Sequence, residues 1–229
     1  MGTFTSPPVR EAATLFEELA LHRRATAHFT DESIPTEVID TALAIAAQAP
    51  SGYNFQPWQF LVLTETAQRE RLKEAARGQQ KIGEAPVVII AFAQREGWKD
   101  RIDEILRMRA SRTGQPEPAA TAEAKQRALE FIGQLPVGTW LNRHVMIAFT
   151  YLMLAFESLG WDTAPMEGFD AEAVRKSFEL PADSEVVALL AAGRAAAPPA
   201  PHPGRLPIGQ IAHLNHFGQP YLPFNQSES

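Results

Sequence analysis

The sequence predicts one α+β domain, a few short apolar strands set among longer helices. Three observations point there. The chain has 229 residues and no internal repeat, a length that suits a single domain. Three short apolar runs, at 58–63, 87–92 and 185–192, read as buried strands. The segments between them carry helical spacing, and the longest, 138–159, is apolar almost all round and therefore central.

In chain order, residues 11–24 form an amphipathic helix with Ala12, Leu15, Phe16, Leu19 and Leu21 on one side and Arg23-Arg24 at its end. Pro35 with Glu37 behind it opens a second helix, through Val38, Ile39, Leu43, Ala46 and Ala47, that stops at Pro50. Residues 50–57 are a loop of turn formers. The strand 58–63 is continuous enough to be buried on both faces. A polar helix follows at 66–77, and Pro86 opens the strand 87–92. Residues 95–130 hold eight Lys/Arg and seven Asp/Glu, with Gly114, Pro116 and Pro118 between, and read as two polar helices. They form either a solvated face or a cap over a site, a region extended here to 95–135. After the long helix come a short loop or strand at 163–169, a helix at 170–178, and the strand 185–192 closed by Gly193. Seven of the 18 prolines follow Arg194, so that segment is expected as an extended tail without helix or central strand.

Composition removes several function classes. Lys+Arg is 21 against Asp+Glu 27, a net charge of -6, which offers no field for nucleic acid or anionic lipid. There is no cysteine, which excludes disulfides, iron–sulfur clusters and thiol chemistry. Redox chemistry would need a bound cofactor. The first eight residues lack a basic or apolar leader, and residues 145–156 are too short to span a bilayer. The expected compartment is the cytoplasm, with no membrane partner.

Gly78-Gln79-Gln80-Lys81-Ile82-Gly83 has the glycine spacing of a phosphate loop but continues Glu84-Ala85, without the required Lys-Ser/Thr. Neither G-x-G-x-x-G nor G-x-S-x-G occurs. His213 and His216 lack a carboxylate at ligand spacing, and no metal is expected. The remaining histidines, His144 on the long helix among them, read as structural.

Three segments carry chemistry. Arg23-Arg24 ends a helix, where paired guanidinium groups can grip a terminal phosphate. Pro50-Ser51-Gly52-Tyr53-Asn54-Phe55-Gln56-Pro57-Trp58 makes a rigid loop whose backbone and amides could meet a planar polar ring. Pro165-Met166-Glu167-Gly168-Phe169 precedes Asp170 at a helix start, and Gly168 allows a close backbone approach to a ligand.

Taken together, these segments resemble the nitroreductase family of flavin enzymes, from about residue 21 to residue 215. The strongest likeness is Pro50-Ser51-Gly52-x-Asn54-x-Gln56-Pro57-Trp58. Pro165-Met166-Glu167-Gly168-Phe169-Asp170 and Arg205-Leu206-Pro207 follow in the family's order. The resemblance implies a mainly antiparallel central sheet surrounded by helices, in an intertwined homodimer wrapped by the tail 198–229. It implies FMN in a site shared between subunits and NADH or NADPH as co-substrate. Arg23, Arg24 and Arg205 would hold the phosphate, next to Ala25. Ser51 and Asn54 would meet the ring, with Pro50 packed on it. Lys81 would lie near the pyrimidine edge, where a positive charge stabilises the anionic reduced ring. Pro165 and Met166 would lead to Glu167 and Gly168 at the catalytic nitrogen, with the Gly168 amide donating. Ala25, Ala27 and Pro203 stand where the family often has serine or basic residues.

The activity implied is ping-pong transfer of hydride from NAD(P)H to a nitroaromatic, quinone or related small electrophile. Two other readings are a specialised flavin enzyme of the same fold (dehalogenation, azoline oxidation or flavin fragmentation) and an FMN-binding carrier or sensor without turnover.

Overall fold

In a computed structural model, residues 9–113 and 118–221 are described. The core is a four-stranded, wholly antiparallel sheet of β1 (Trp58–Leu63), β2 (Val87–Gln94), β3 (Asp162–Met166) and β4 (Ser184–Gly193), in the order β1-β2-β4-β3. β2 and β4 occupy the centre. Successive side chains of a strand point to opposite faces, so Val87, Ile89 and Ala91 join one core while Val88, Ile90 and Phe92 join the other. This two-faced burial is why both strands are continuous apolar runs.

On the first face lie α2 (Thr36–Ala46) and α7 (Val137–Ser158), with Trp140, Leu141, Val145, Ala148, Phe149 and Leu152 turned inward. α5 (Ile102–Thr113) and α6 (Pro118–Gly133) add Ile102, Ile105, Leu106, Ala128 and Ile132 to the same core. The charged 95–130 segment is thus two amphipathic helices, anchored by one apolar side each. On the second face, α3 (Thr66–Ala75), α4 (Gln80–Glu84) and α8 (Ala171–Ser177) cover Ala164, Met166, Leu189 and Ala191. The first helix, α1 (Val9–His22), ends two residues before the expected Arg24.

Three expectations are corrected. β1 was expected to be buried on both faces. Only Trp58 and Leu63 are buried, and its middle is half-buried, because β1 is an edge strand. Residues 80–84 form a helix that the sequence pattern did not predict; it is one short turn interrupted by Gly83, too brief to show a period. The tail contains a helical turn, α9 (Ile208–Ile211), in a proline-free stretch behind Pro207, whose φ of -54° suits a helix start. Pro165 is tolerated inside β3 because β3 is the other edge strand.

The chain divides into two compact units, residues 1–199 and 200–229. The sheet and both cores belong to the first. In the second, α9 is followed by a bridge between His213 and Pro220, and Leu206, Ile211 and Phe217 are exposed. Leu222 and Phe224, expected to contribute to the tail's apolar face, lie outside the described residues.

Candidate functional site

The loop before β1 is held in an uncommon shape. Tyr53, Asn54 and Gln56 have φ of 56°, 60° and 46°, a left-handed region that non-glycine residues enter at a cost and that clusters at functional sites. Short-range bonds brace it: Gln56 N–H donates to Ser51 Oγ at 2.9 Å, and Gln56 Nε2 to the Asn54 carbonyl at 3.2 Å. Phe55 is fully buried against Trp98, at 5.7 Å between ring centroids, and Trp98 in turn packs on Trp140 at 4.9 Å. Anchored below, the loop leaves Pro50 and Asn54 exposed and Ser51 half-exposed. From beneath, His144 Nε2 accepts the Gly52 N–H at 2.9 Å.

A second group gathers at β3. The chain after α1 runs along this edge: Ala25 bridges Thr163, and Thr26 N–H donates to the Thr163 carbonyl at 2.9 Å. Thr163 is fixed from behind by Glu157, one of whose oxygens accepts both its N–H at 3.0 Å and its Oγ1 at 2.5 Å. Burial raises the Glu157 carboxyl above its ordinary value, against the lowering effect of the Thr163 hydroxyl. Arg23 Nη1 is buried without a hydrogen-bond partner among the described residues. Arg24 behaves differently: its Nη1 turns back onto the carbonyls of Leu21 and Arg23, at 2.6 and 2.8 Å, and closes the end of α1.

α4 ties the rest of this group together. Ahead of it, Gln79 Nε2 donates to the Gly168 carbonyl at 3.1 Å. At its end, Glu84 accepts the Phe29 N–H at 3.3 Å and pairs with His28 Nδ1 at 3.1 Å. Lys81, between these ties, is half-buried. Asp170 caps α8, accepting from the N–H groups of Glu172 and Ala173, both at 3.0 Å. Met166 is buried and Pro165 half-buried, whereas Glu167 and Gly168 are exposed, and the Gly168 N–H has no hydrogen-bond partner among the described residues.

The fold therefore brings Arg23, Ala25, Lys81 and 165–168 to the β3 edge. It puts Pro50, Ser51 and Asn54 ahead of β1, at the opposite edge of the sheet. Three interstrand spacings, roughly 14 Å, separate the two edges. Arg205 lies in the second unit, where its Nη1 donates to the Gly204 carbonyl at 2.7 Å.

The model of the nitroreductase family matches residues 20–194. The chain belongs to the nitroreductase family. Among similar proteins is an NADH dehydrogenase of Thermus thermophilus, 34% identical over 89% of this chain and 96% of that protein. An oxygen-insensitive NAD(P)H nitroreductase of Salmonella typhimurium is 25% identical over 71% of this chain and 80% of its own. A protein of Exiguobacterium sibiricum solved in complex with FMN superimposes with a TM-score of 0.78 at 25% identity, covering 87% of this chain and 96% of that one. The antiparallel sheet flanked by helices is thus the nitroreductase fold.

Sequence reasoning missed three supporting residues of this nitroreductase-family chain: His144 beneath the loop, Gln79 on Gly168 and Glu157 behind Thr163. Each acts across a long or irregular separation. Only Glu157 left a signal, as a carboxylate next to the apolar run that ends α7.

Proposed function

We propose that this nitroreductase-family protein is an FMN-dependent oxidoreductase, oxidising NADH or NADPH and reducing a small electrophile such as a nitroaromatic or quinone. The observation that carries the reading is the buried Arg23 Nη1 left without a hydrogen-bond partner among the described residues, at the same sheet edge as the unengaged Gly168 N–H. A guanidinium donor removed from water asks for an anion, and a free amide at an exposed glycine is available to a ring nitrogen. The residues therefore fit FMN.

Arg23 would hold the phosphate, joined by those Arg24 donors that are not on its own helix end. The Ala25 backbone lies on this path. Lys81 would set positive charge at the pyrimidine edge. Residues 165–168 would line the ring, with the Gly168 amide directed to its reactive nitrogen and Glu167 beside it. Pro50, Ser51 and Asn54 would meet the ring from a second subunit, since their loop and Arg23 stand at opposite sheet edges. When bound, FMN would supply the chemistry, taking hydride from the nicotinamide and passing it to the acceptor. The chain's part is to position, to exclude water and to place charge. Residues 95–135 are proposed to shape the acceptor's entry, and donor and acceptor use one space in turn.

This function is tested by titrating the flavin-free protein with FMN and by initial-rate kinetics with NADH and NADPH over several acceptors. The expected results are a tight 1:1 FMN complex per chain and parallel double-reciprocal lines. Arg23→Ala should weaken FMN binding by about 1.5–3 kcal/mol, the loss of one charged hydrogen-bonding partner. No FMN binding overturns the reading. Intersecting lines reject the shared space, and binding without turnover leaves a carrier or sensor.

A further inference from the structure

We infer that His144 is a positioning residue for the loop 51–56, holding through its Nε2 lone pair the Gly52 amide from which the loop presents Ser51 and Asn54. Both ring nitrogens face backbone groups of fixed sense. The Trp140 carbonyl, 2.7 Å from Nδ1, can only accept, so Nδ1 carries the proton. The Gly52 N–H, 2.9 Å from Nε2, can only donate, so Nε2 carries the lone pair. The tautomer is thereby fixed by the chain itself.

The loop needs such a hold. Its other hydrogen bonds run between residues 51 and 56, whereas the bond to His144 crosses 92 positions of sequence. Three left-handed residues store strain that short-range bonds within the loop are poorly placed to restrain. His144 also ends the aromatic column that receives Phe55. Its ring packs on Trp140 at 4.5 Å, and Trp140 reaches Phe55 through Trp98. A Cβ added at position 52 would stand 3.4 Å from both His144 Nε2 and Trp140 Nε1, which places the loop in direct contact with this column.

The inference rests on the reading that FMN meets Ser51 and Asn54, and the experiment separates the two. His144→Phe keeps a ring without the lone pair. His144→Gln keeps an acceptor at a similar reach. Hydrogen exchange of the Gly52 amide in the flavin-free protein reads the bond, and flavin fluorescence titration reads FMN affinity. The expected outcome for His144→Phe is lost protection at Gly52 and an FMN Kd raised on the order of tenfold, the scale of one half-buried donor left unpaired. His144→Gln should keep both readings within about threefold of wild type, a rescue by hydrogen bonding that a purely packing role does not produce. His144→Leu gives the same comparison should the phenylalanine variant fail to fold. Unchanged Gly52 exchange in His144→Phe overturns the inference, as does an equal loss of FMN in the Phe and Gln variants. A wild-type chain that binds no FMN overturns the cofactor reading instead, and the Gly52 exchange comparison then decides the role of His144 by itself.

Discussion

Glu157 combines partial burial, a raised carboxyl pKa and two hydrogen bonds from Thr163, and these make its protonation part of stability. Above 4.5, the ordinary value of a glutamate carboxyl, the unfolded chain has released this proton while the native state still holds it. Stability from this group is therefore full below that value and is lost as pH rises through the native pKa. Glu157→Gln keeps an oxygen for Thr163 and never ionises. Its urea midpoint relative to wild type should improve between pH 4.5 and pH 7.5, and a pH-independent difference rules this out. Asp170 offers a simpler case. Removing the α8 cap with Asp170→Ala should cost about 1 kcal/mol, measured by urea unfolding with an unchanged m-value. Glu172, two residues on, is held down to about 2 by hydrogen bonds from Arg175 and Lys176.

At the scale of elements, the end of β4 shows how closely the sheet is covered. A Cβ on Gly193 would lie 2.7 Å from Pro86 Cδ and 2.9 Å from Phe29 Cδ1. Both neighbours are stiff rings, so neither yields easily. Gly193→Ala should destabilise by about 1–3 kcal/mol, the usual cost of overpacking, seen as a lower denaturant midpoint. Gly133, at the end of α6, has nothing within 4 Å of an added Cβ. Gly133→Ala should therefore stay within about 0.5 kcal/mol of wild type. The strands were legible in the sequence where they were central: β2 and β4 are buried on both faces and read as continuous apolar runs. β1 reads the same way from sequence yet lies at an edge, because strand order is set by pairings that a run of apolar residues does not encode. α4 escaped notice for a different reason, being five residues held by Gln79 and Glu84 through contacts with distant segments.

Across the whole molecule, two sets of apolar side chains face outward. Leu15, Phe16 and Leu21 on α1 are 64%, 61% and 60% exposed, and Phe217 in the second unit is 93% exposed. In the proposed homodimer this apolar surface would be covered. Light scattering should give twice the chain mass. Deleting residues 206–229 should yield monomer or aggregate with loss of FMN, and a truncated dimer with full flavin would refute the wrapping tail. No helix among the described residues is long and apolar enough to cross a membrane.

What the sequence determined by itself was the fold class, the central strands and the chemical character of the site. Burial periodicity and local motifs are written residue by residue: Arg23-Arg24 ends a helix, 50–58 is dense in turn formers, and Asp170 stands at a helix start. Only the tertiary structure decided that Arg23 Nη1 is buried without a hydrogen-bond partner among the described residues, that Arg24 instead closes its own helix, and that His144 and Gln79 hold Gly52 and Gly168. It also decided that the arginine and loop groups stand at opposite edges of one sheet. Those facts depend on which distant segments the folded chain brings within hydrogen-bond reach. Such contacts are fixed by packing around two shared cores and leave no local pattern in the residues that make them.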